Sequence, residues 1–283
     1  MLESKSVSDQ GLVRKRNEDS YINNESLGLW VVADGVGGHA HGDVASQLAT
    51  QSLERKIRQG SELSKAILEV DAAIIDAISN EESLSGMATT IVACRFDAYH
   101  QFQVAWVGDS RAYLLDQSGI SQLTSDHNHA NKLFSLGMIT EDEVQAHPGQ
   151  HELTQALGLM TLDKVPMSLG EMHDKDYLLL CTDGLTGVIS DQEIYQIVMK
   201  SESINGACEV LLARALEEGA PDNVTFSLIQ FKESAPEIKA SDFQGASSYR
   251  LPYDQKPYLK HLSSRPILLL LIFISMIILF LFI

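Results

Sequence analysis

Twice in this sequence an unbroken apolar run stops at Asp-Gly: GLWVVA before Asp34 and Gly35, and YLLLCT before Asp183 and Gly184. Short apolar runs bounded by turn residues predict strands covered on both faces. Asp-Gly is a common turn signal, and one such pair alone reads as a turn. A carboxylate at the end of a buried strand is nevertheless costly unless something neutralises it. A third acid, Asp222 in PDNVTF, opens the last strand-like segment; Glu18 and Asp19 in RNEDSY and Asp109 in WVGDSRAY add to the set. An acidic chain has acids everywhere, so no single one of these is informative. Several at the ends of apolar strands can converge in one cleft, where they must bind hard cations or hold protons. An oxygen-only donor set favours Mg²⁺ or Mn²⁺ over zinc.

The intervening sequence predicts the frame. Residues 43–58 place Val44, Ala45, Leu48, Ala49 and Ile57 near helical spacing, and Leu63, Ile67, Val70, Ile74 and Ile78 repeat the pattern. Strands are expected over 88–96, 102–107 and 112–115, then at 177–182 and 224–231. Between the last two come a helix begun by the Ser190/Glu193 capping box and another over 205–218. Strands that arrive in consecutive groups suggest antiparallel sheets covered by helices, not a parallel βαβ wind. No internal repeat is visible.

With 21 Lys and Arg against 38 Asp and Glu, the net charge of −17 argues against a nucleic-acid binder. Cys94, Cys181 and Cys208 lie in apolar runs without a CxxC pair, which predicts free thiols and a reducing, cytosolic setting. Residues 1–24 are too polar for a secretory signal. Residues 266–283 read PILLLLIFISMIILFLFI without a charge, and as a helix they would reach about 27 Å, close to a bilayer's hydrocarbon thickness. Arg250, Lys256, Lys260 and Arg265 precede this run, a basic flank that marks the cytoplasmic side. The expected organisation is a globular domain over 1–231, a polar and basic linker over 232–265, and a C-terminal transmembrane helix over 266–283.

SDQGLVRKRNED (8–19), VVADGVGGHAHGDVAS, VGDSRAYLL, LTSDH, LLCTDGLTGVISD and PDNVTF occur in this order. Together they resemble the bacterial metal-dependent Ser/Thr protein phosphatases of the protein phosphatase 2C (PPM) type, over roughly residues 4–231. The resemblance implies an α+β fold, a four-layer α-β-β-α sandwich of two antiparallel sheets flanked by helices, with a dimetal site at one end. It implies that Asp34 bridges two Mn²⁺ or Mg²⁺ ions, that the Gly35 carbonyl ligates one, and that Asp183 and Asp222 serve the other. Asp19, with Glu18 beside it, would orient metal-bound waters or ligate directly, and Asp109 matches a position that helps hold a third, weaker ion. Arg14 matches the phosphate-binding arginine, whose planar fork suits two phosphate oxygens. His39 is the candidate proton donor to the leaving alkoxide.

Two positions depart from the pattern: His41 stands where glycine is more common, and Gln155 where arginine is. The flap expected over 127–150 carries His127, His129 and His147, read as surface residues, and a Thr140/Glu143 capping box. Ser110 has no paired base and is not read as a nucleophile. The activity implied is hydrolysis of phosphoserine and phosphothreonine by a hydroxide activated between two ions, in a monomer on the cytoplasmic face of the cell inner membrane. Phosphorylated proteins are the expected partners, a membrane Ser/Thr kinase or its substrates among them. The alternative is a non-catalytic, membrane-anchored phosphoprotein-binding module, whose mark would be loss of Asp34, Asp183 or Asp222; all three are present.

Overall fold

The computed structural model describes residues 2–36, 41–97, 100–144 and 146–232. His39 and the expected anchor lie outside the described residues, as does the linker apart from Lys232. Among the described residues no helix is long and apolar enough to cross a membrane.

Two five-stranded antiparallel sheets form the centre. The first contains β1 (Leu2–Asp9), β8 (Arg111–Asp116), β9 (Gly119–Gln122), β11 (Tyr177–Cys181) and β12 (Val224–Phe231), in the order β1-β12-β11-β8-β9. The second contains β2 (Ser20–Asn24), β3 (Leu29–Ala33), β6 (Ile91–Phe96), β7 (Gln101–Val107) and β10 (Met167–Glu171), in the order β10-β7-β6-β3-β2. A two-stranded ribbon pairs β4 (Gly35–Val36) with β5 (Ala88–Thr89). Helices α1 (Gly42–Arg58) and α2 (Leu63–Asn80) cover the second sheet; α6 (Asp191–Lys200) and α7 (Ile204–Glu217) cover the first.

The four layers enclose three apolar interfaces, and strand alternation sorts side chains between them. In β3, Trp30 and Val32 face the opposite sheet with Cys94, Trp106, Leu178 and Ile229, while Leu29 and Val31 face α1 and α2 with Leu53, Ile67 and Ile74. Both faces of β3 are covered, which is why LWVVA shows no polar alternation. The third interface packs Leu179, Phe226 and Leu228 against Ile194, Val198 and Leu211. Ser190 Oγ accepts the amide of Glu193 at 3.3 Å, as the capping box predicts, and starts α6. Cys94, Cys181 and Cys208 are free and buried, and burial raises all three thiol pKa values.

One expected strand divides. Residues 88–96 break at Thr90 into β5 and β6, which belong to different sheets. Thr90 N donates to the carbonyl of Asp34 at 2.8 Å, and its hydroxyl accepts the Asp34 amide at 3.0 Å. The break therefore fastens the end of β3.

Candidate metal centre

Every sequence-predicted acid falls at the same end of the sandwich. Asp34 follows β3 directly, Asp183 opens the short α5 (Asp183–Thr186) one residue after β11, and Asp222 precedes β12 by one. Asp19 sits just before β2, and Asp109 lies in the turn from β7 to β8. The sheets' antiparallel order makes these five sequence positions neighbours in space.

The local hydrogen bonds are specific. Thr182 Oγ1 donates to Asp19 Oδ2 at 3.1 Å and accepts the Thr225 amide at 3.1 Å, tying the β2 approach to the first sheet. The carbonyl of Glu18 accepts from Gly35 N at 3.1 Å and Ser46 Oγ at 2.6 Å, so the Glu18–Asp19 segment is clamped against β4 and α1. Thr90 and Ser110 share a 2.6 Å hydroxyl contact that connects the Asp34 and Asp109 turns. Ser110 is buried in that contact. Gly35 has to be glycine: a Cβ there would run into the carbonyls of Gly42 and Glu18.

Asn223 is the hub that sequence reading missed. Its side-chain oxygen accepts the Glu18 amide at 2.8 Å, and its amide donates to the carbonyls of Gln10 and Arg16 at 2.8 and 2.9 Å. The only sequence hint was its place beside Asp222 in PDNVTF. Arg14 Nη2 donates to Asp222 Oδ2 at 2.6 Å. The predicted phosphate-binding arginine thus pairs with a predicted metal ligand, and this contact raises the pKa of Arg14.

The acids share one electrostatic field. Burial, followed by the charges of Asp19, Asp183, Asp109 and Asp222, pushes the Asp34 carboxyl far above the usual range. Burial lifts Asp19 to about 8 against hydrogen bonds from Thr225 and Thr182, with Asp183 and Asp222 adding to the rise. Asp109 is lifted to about 7 by burial and the charges of Asp183 and Asp126. Asp183 is raised by burial and by Asp222; opposing this are a side-chain contact with Asp34 and the cations His151 and Arg14. His151 directly follows the flap and is not singled out by the sequence. Asp34, Asp109 and Asp183 are packed among protein atoms yet keep some surface open to solvent, so an ion can reach them.

Among the described residues, no three His, Cys, Asp or Glu side chains are closed into a ready-made metal cage. The residues nonetheless fit hard divalent cations. Asp19 Oδ1 and Asp183 Oδ1 are buried without any hydrogen-bond partner, the donors are all oxygen, and the clustered negative charge is incompletely opposed.

The flap corrects one expectation. It contains α3 (His129–Ser135) and α4 (Glu141–Val144), and Glu143 accepts the Thr140 amide at 2.7 Å as predicted. His127, expected on the surface, is half-buried: its Nδ1 accepts the Gly108 amide at 3.1 Å and its ring stacks on Trp106. The reason is that the flap's base must be fastened to the turn that carries Asp109. His41 adopts φ +68, a left-handed conformation where glycine is strain-free, which explains its departure from the pattern as a tolerated substitution.

A family model for protein phosphatase 2C matches residues 13–218. The serine/threonine phosphatase stp of Listeria monocytogenes is 34% identical over 235 residues, covering 78% of this chain and 93% of its own. Protein phosphatase PhpP of Streptococcus pneumoniae is 33% identical over 245 residues, covering 82% and 98%. The crystal structure of the Mycobacterium tuberculosis phosphatase PstP superposes with a TM-score of 0.74 at 33% identity, covering 82% of this chain and 99% of that one. A structure of the PstP catalytic domain with two manganese ions gives 0.72 at 32% identity, with the same coverage. The chain belongs to the protein phosphatase 2C family and is an enzyme, a protein serine/threonine phosphatase.

Proposed function

We propose that the enzyme depends on divalent cations and removes phosphate from phosphoserine and phosphothreonine in proteins at the cytoplasmic face of a membrane. The observation that carries the reading is the pair of buried, partnerless carboxylate oxygens on Asp19 and Asp183, within a field of acids at one end of both sheets. In this reading Asp34 and the Gly35 carbonyl would help hold two Mn²⁺ or Mg²⁺ ions. Asp183 and Asp222 would complete the set that holds them, Asp19 and Glu18 would orient their waters, and Asp109 would help with a third, weaker ion. When bound, the ions supply positive charge opposite the phosphoryl oxygens and make a water acidic enough to ionise near neutrality.

The chain's own groups do the rest. Arg14 grips two phosphate oxygens with its planar fork. Its present pairing with Asp222 is a single contact with a side chain 47% exposed, worth little in water and easily given up. Parting frees both members, the carboxylate for a cation and the guanidinium for phosphate. His39 protonates the leaving serine or threonine oxygen. Residues 266–283 fix the enzyme to the membrane, which raises its effective concentration toward membrane-borne phosphoproteins such as a transmembrane kinase.

The test is hydrolysis of an aryl phosphate and a phosphothreonine peptide with Mn²⁺, after thorough chelation, and by the Asp34→Asn variant. Turnover undiminished by chelation or by that substitution refutes metal dependence. For the anchor, the full chain should sediment with membranes and residues 1–233 should not; full-length protein in the detergent-free soluble fraction refutes it.

A further inference from the structure

The loop between β1 and β2 differs in character from the rest of the domain. Leu12, Val13, Arg14, Lys15 and Arg16 are consecutive and exposed, Leu12 and Val13 at 66% each, in a chain of net charge −17. Exposed loops are ordinarily mobile, but this one is fastened along its length. Leu12 N donates to the Ala220 carbonyl at 3.0 Å, the Gln10 amide donates to the Arg14 carbonyl at 2.8 Å, and Asn223 holds the Gln10 and Arg16 carbonyls. Gly11, at φ +72, lets the chain lie against the Asp222 backbone where a Cβ would overlap the Asp222 carbonyl. The backbone is therefore a fixed shelf presenting two apolar side chains and three cations.

Arg14 is engaged by Asp222, but Lys15 and Arg16 have no ion-pair partner among the described residues. Acids outnumber bases 38 to 21 in this chain, and these two adjacent exposed cations form no ion pair with the described acids, which leaves a positive spot on the shelf. That spot adjoins the arginine assigned to the substrate phosphate.

We infer that the shelf is a substrate-docking surface that selects phosphoproteins with acidic residues beside the phosphorylated position, Leu12 and Val13 adding apolar contact. This rests on the phosphatase reading above, which places the phosphorylated residue at Arg14. An extended peptide advances about 3.3 Å per residue, so side chains one or two positions from the phosphorylated residue come within reach of Lys15 and Arg16. The acidic domain as a whole repels an acidic peptide at long range; the shelf rewards it only when docked beside Arg14. Rim charges of this kind set selectivity more than total affinity, and salt screens them.

The experiment uses the full chain with Mn²⁺ and three phosphothreonine peptides whose flanks are Asp, Ala or Lys. The enzyme should favour the Asp-flanked over the Lys-flanked peptide by about tenfold in kcat/KM at low salt, approaching parity near 0.5 M salt. The double variant Lys15→Glu/Arg16→Glu should reverse that order while hydrolysing an aryl phosphate, which has no flanks, within about twofold of the parent. Equal use of Asp- and Lys-flanked peptides by the parent, or an unchanged order in the variant, overturns the inference. Binding of non-hydrolysable phosphonate peptides, read by fluorescence anisotropy, separates the two readings. An Asp-flank preference in binding without turnover leaves the shelf standing and removes the phosphatase mechanism. Turnover with no flank preference in binding does the reverse.

Discussion

Two groups of buried carboxylates share this sandwich, and they are finished differently. On α2, Asp71 is 1% exposed and each of its oxygens accepts a backbone amide, Gly158 N at 2.9 Å and Leu162 N at 3.0 Å. At the base of the flap, Asp126 receives the fork of Arg111 at 2.7–3.1 Å and the Gln122 amide at 3.1 Å. At the end of the sheets, Asp19 and Asp183 each keep a buried oxygen with no partner, and Asp34 is surrounded by other acids. Residue type is alike in the two groups, and Asp19 is about as buried as Asp126, although Asp34 and Asp183 keep some surface open to solvent. What differs is whether the protein supplies the counterpart. A carboxylate the fold satisfies is a brace; one it leaves unsatisfied costs stability and marks the place where something else binds.

The sharpest way to break this contrast is Asp34→Asn. Phosphopeptide turnover with Mn²⁺ should fall by about 10³-fold or more, while the chelated protein's melting temperature should rise, because an amide sits among those acids without holding a proton. A loss of both activity and stability would make Asp34 a brace like Asp71. Next comes pH. The carboxyls of Asp19, at about 8, and Asp109, at about 7, lie above their unfolded values, so between pH 4 and 8 the folded chain holds protons the unfolded chain has released. Stability of the chelated protein should therefore fall as pH rises through that window, by about 5 °C or more in Tm between pH 5 and 8. Saturating Mn²⁺ should flatten the slope; a slope unchanged by metal, in a pH series of thermal melts, would separate these acids from cation binding.

The braces should behave in the opposite sense. Arg111→Ala leaves the buried Asp126 without its guanidinium partner, and urea unfolding should show a loss of about 3–5 kcal/mol. Asp71→Ala orphans two backbone amides and should lose about 2 kcal/mol. Neither change should move the Mn²⁺ concentration that half-saturates the enzyme as long as it remains folded. A shift there by either variant would show that brace and site are not separate.

How far the sequence revealed this division depends on the range of the interactions. β3 and β11 were legible because continuous burial leaves a continuous apolar run, and the acids were legible because they stand where those runs stop. β1 was not, since LESKSVSD is polar: Ser6 and Ser8 pair their hydroxyls with Ser227 and Thr225 across the strand, at 2.7 and 2.8 Å. The break at Thr90 interrupts no apolar pattern; its cause, Asp34, lies 56 residues earlier. Asn223 holds partners more than 200 residues away, and its place beside Asp222 in PDNVTF is its one local sign. His127 reads as one polar residue in a polar loop until Gly108 is placed beside it.

The smallest expected effect on stability belongs to Arg14→Ala, and it bears on the contrast most directly. Both Arg14 and Arg111 donate to an aspartate, at 2.6 and 2.7 Å at their shortest, so distance does not distinguish them. Surroundings do: the Asp222 side chain is 29% exposed and meets one guanidinium nitrogen, whereas the Asp126 side chain is 5% exposed and meets two. An ion pair open to water is worth less than about 1 kcal/mol, so removing Arg14 should barely change the urea midpoint of the chelated protein. The same substitution should lower kcat/KM for a phosphopeptide by about 10²-fold, because a charged grip on phosphate is lost where it matters to turnover. A midpoint loss as large as that of Arg111→Ala, with turnover intact, would place the Arg14–Asp222 pair among the braces.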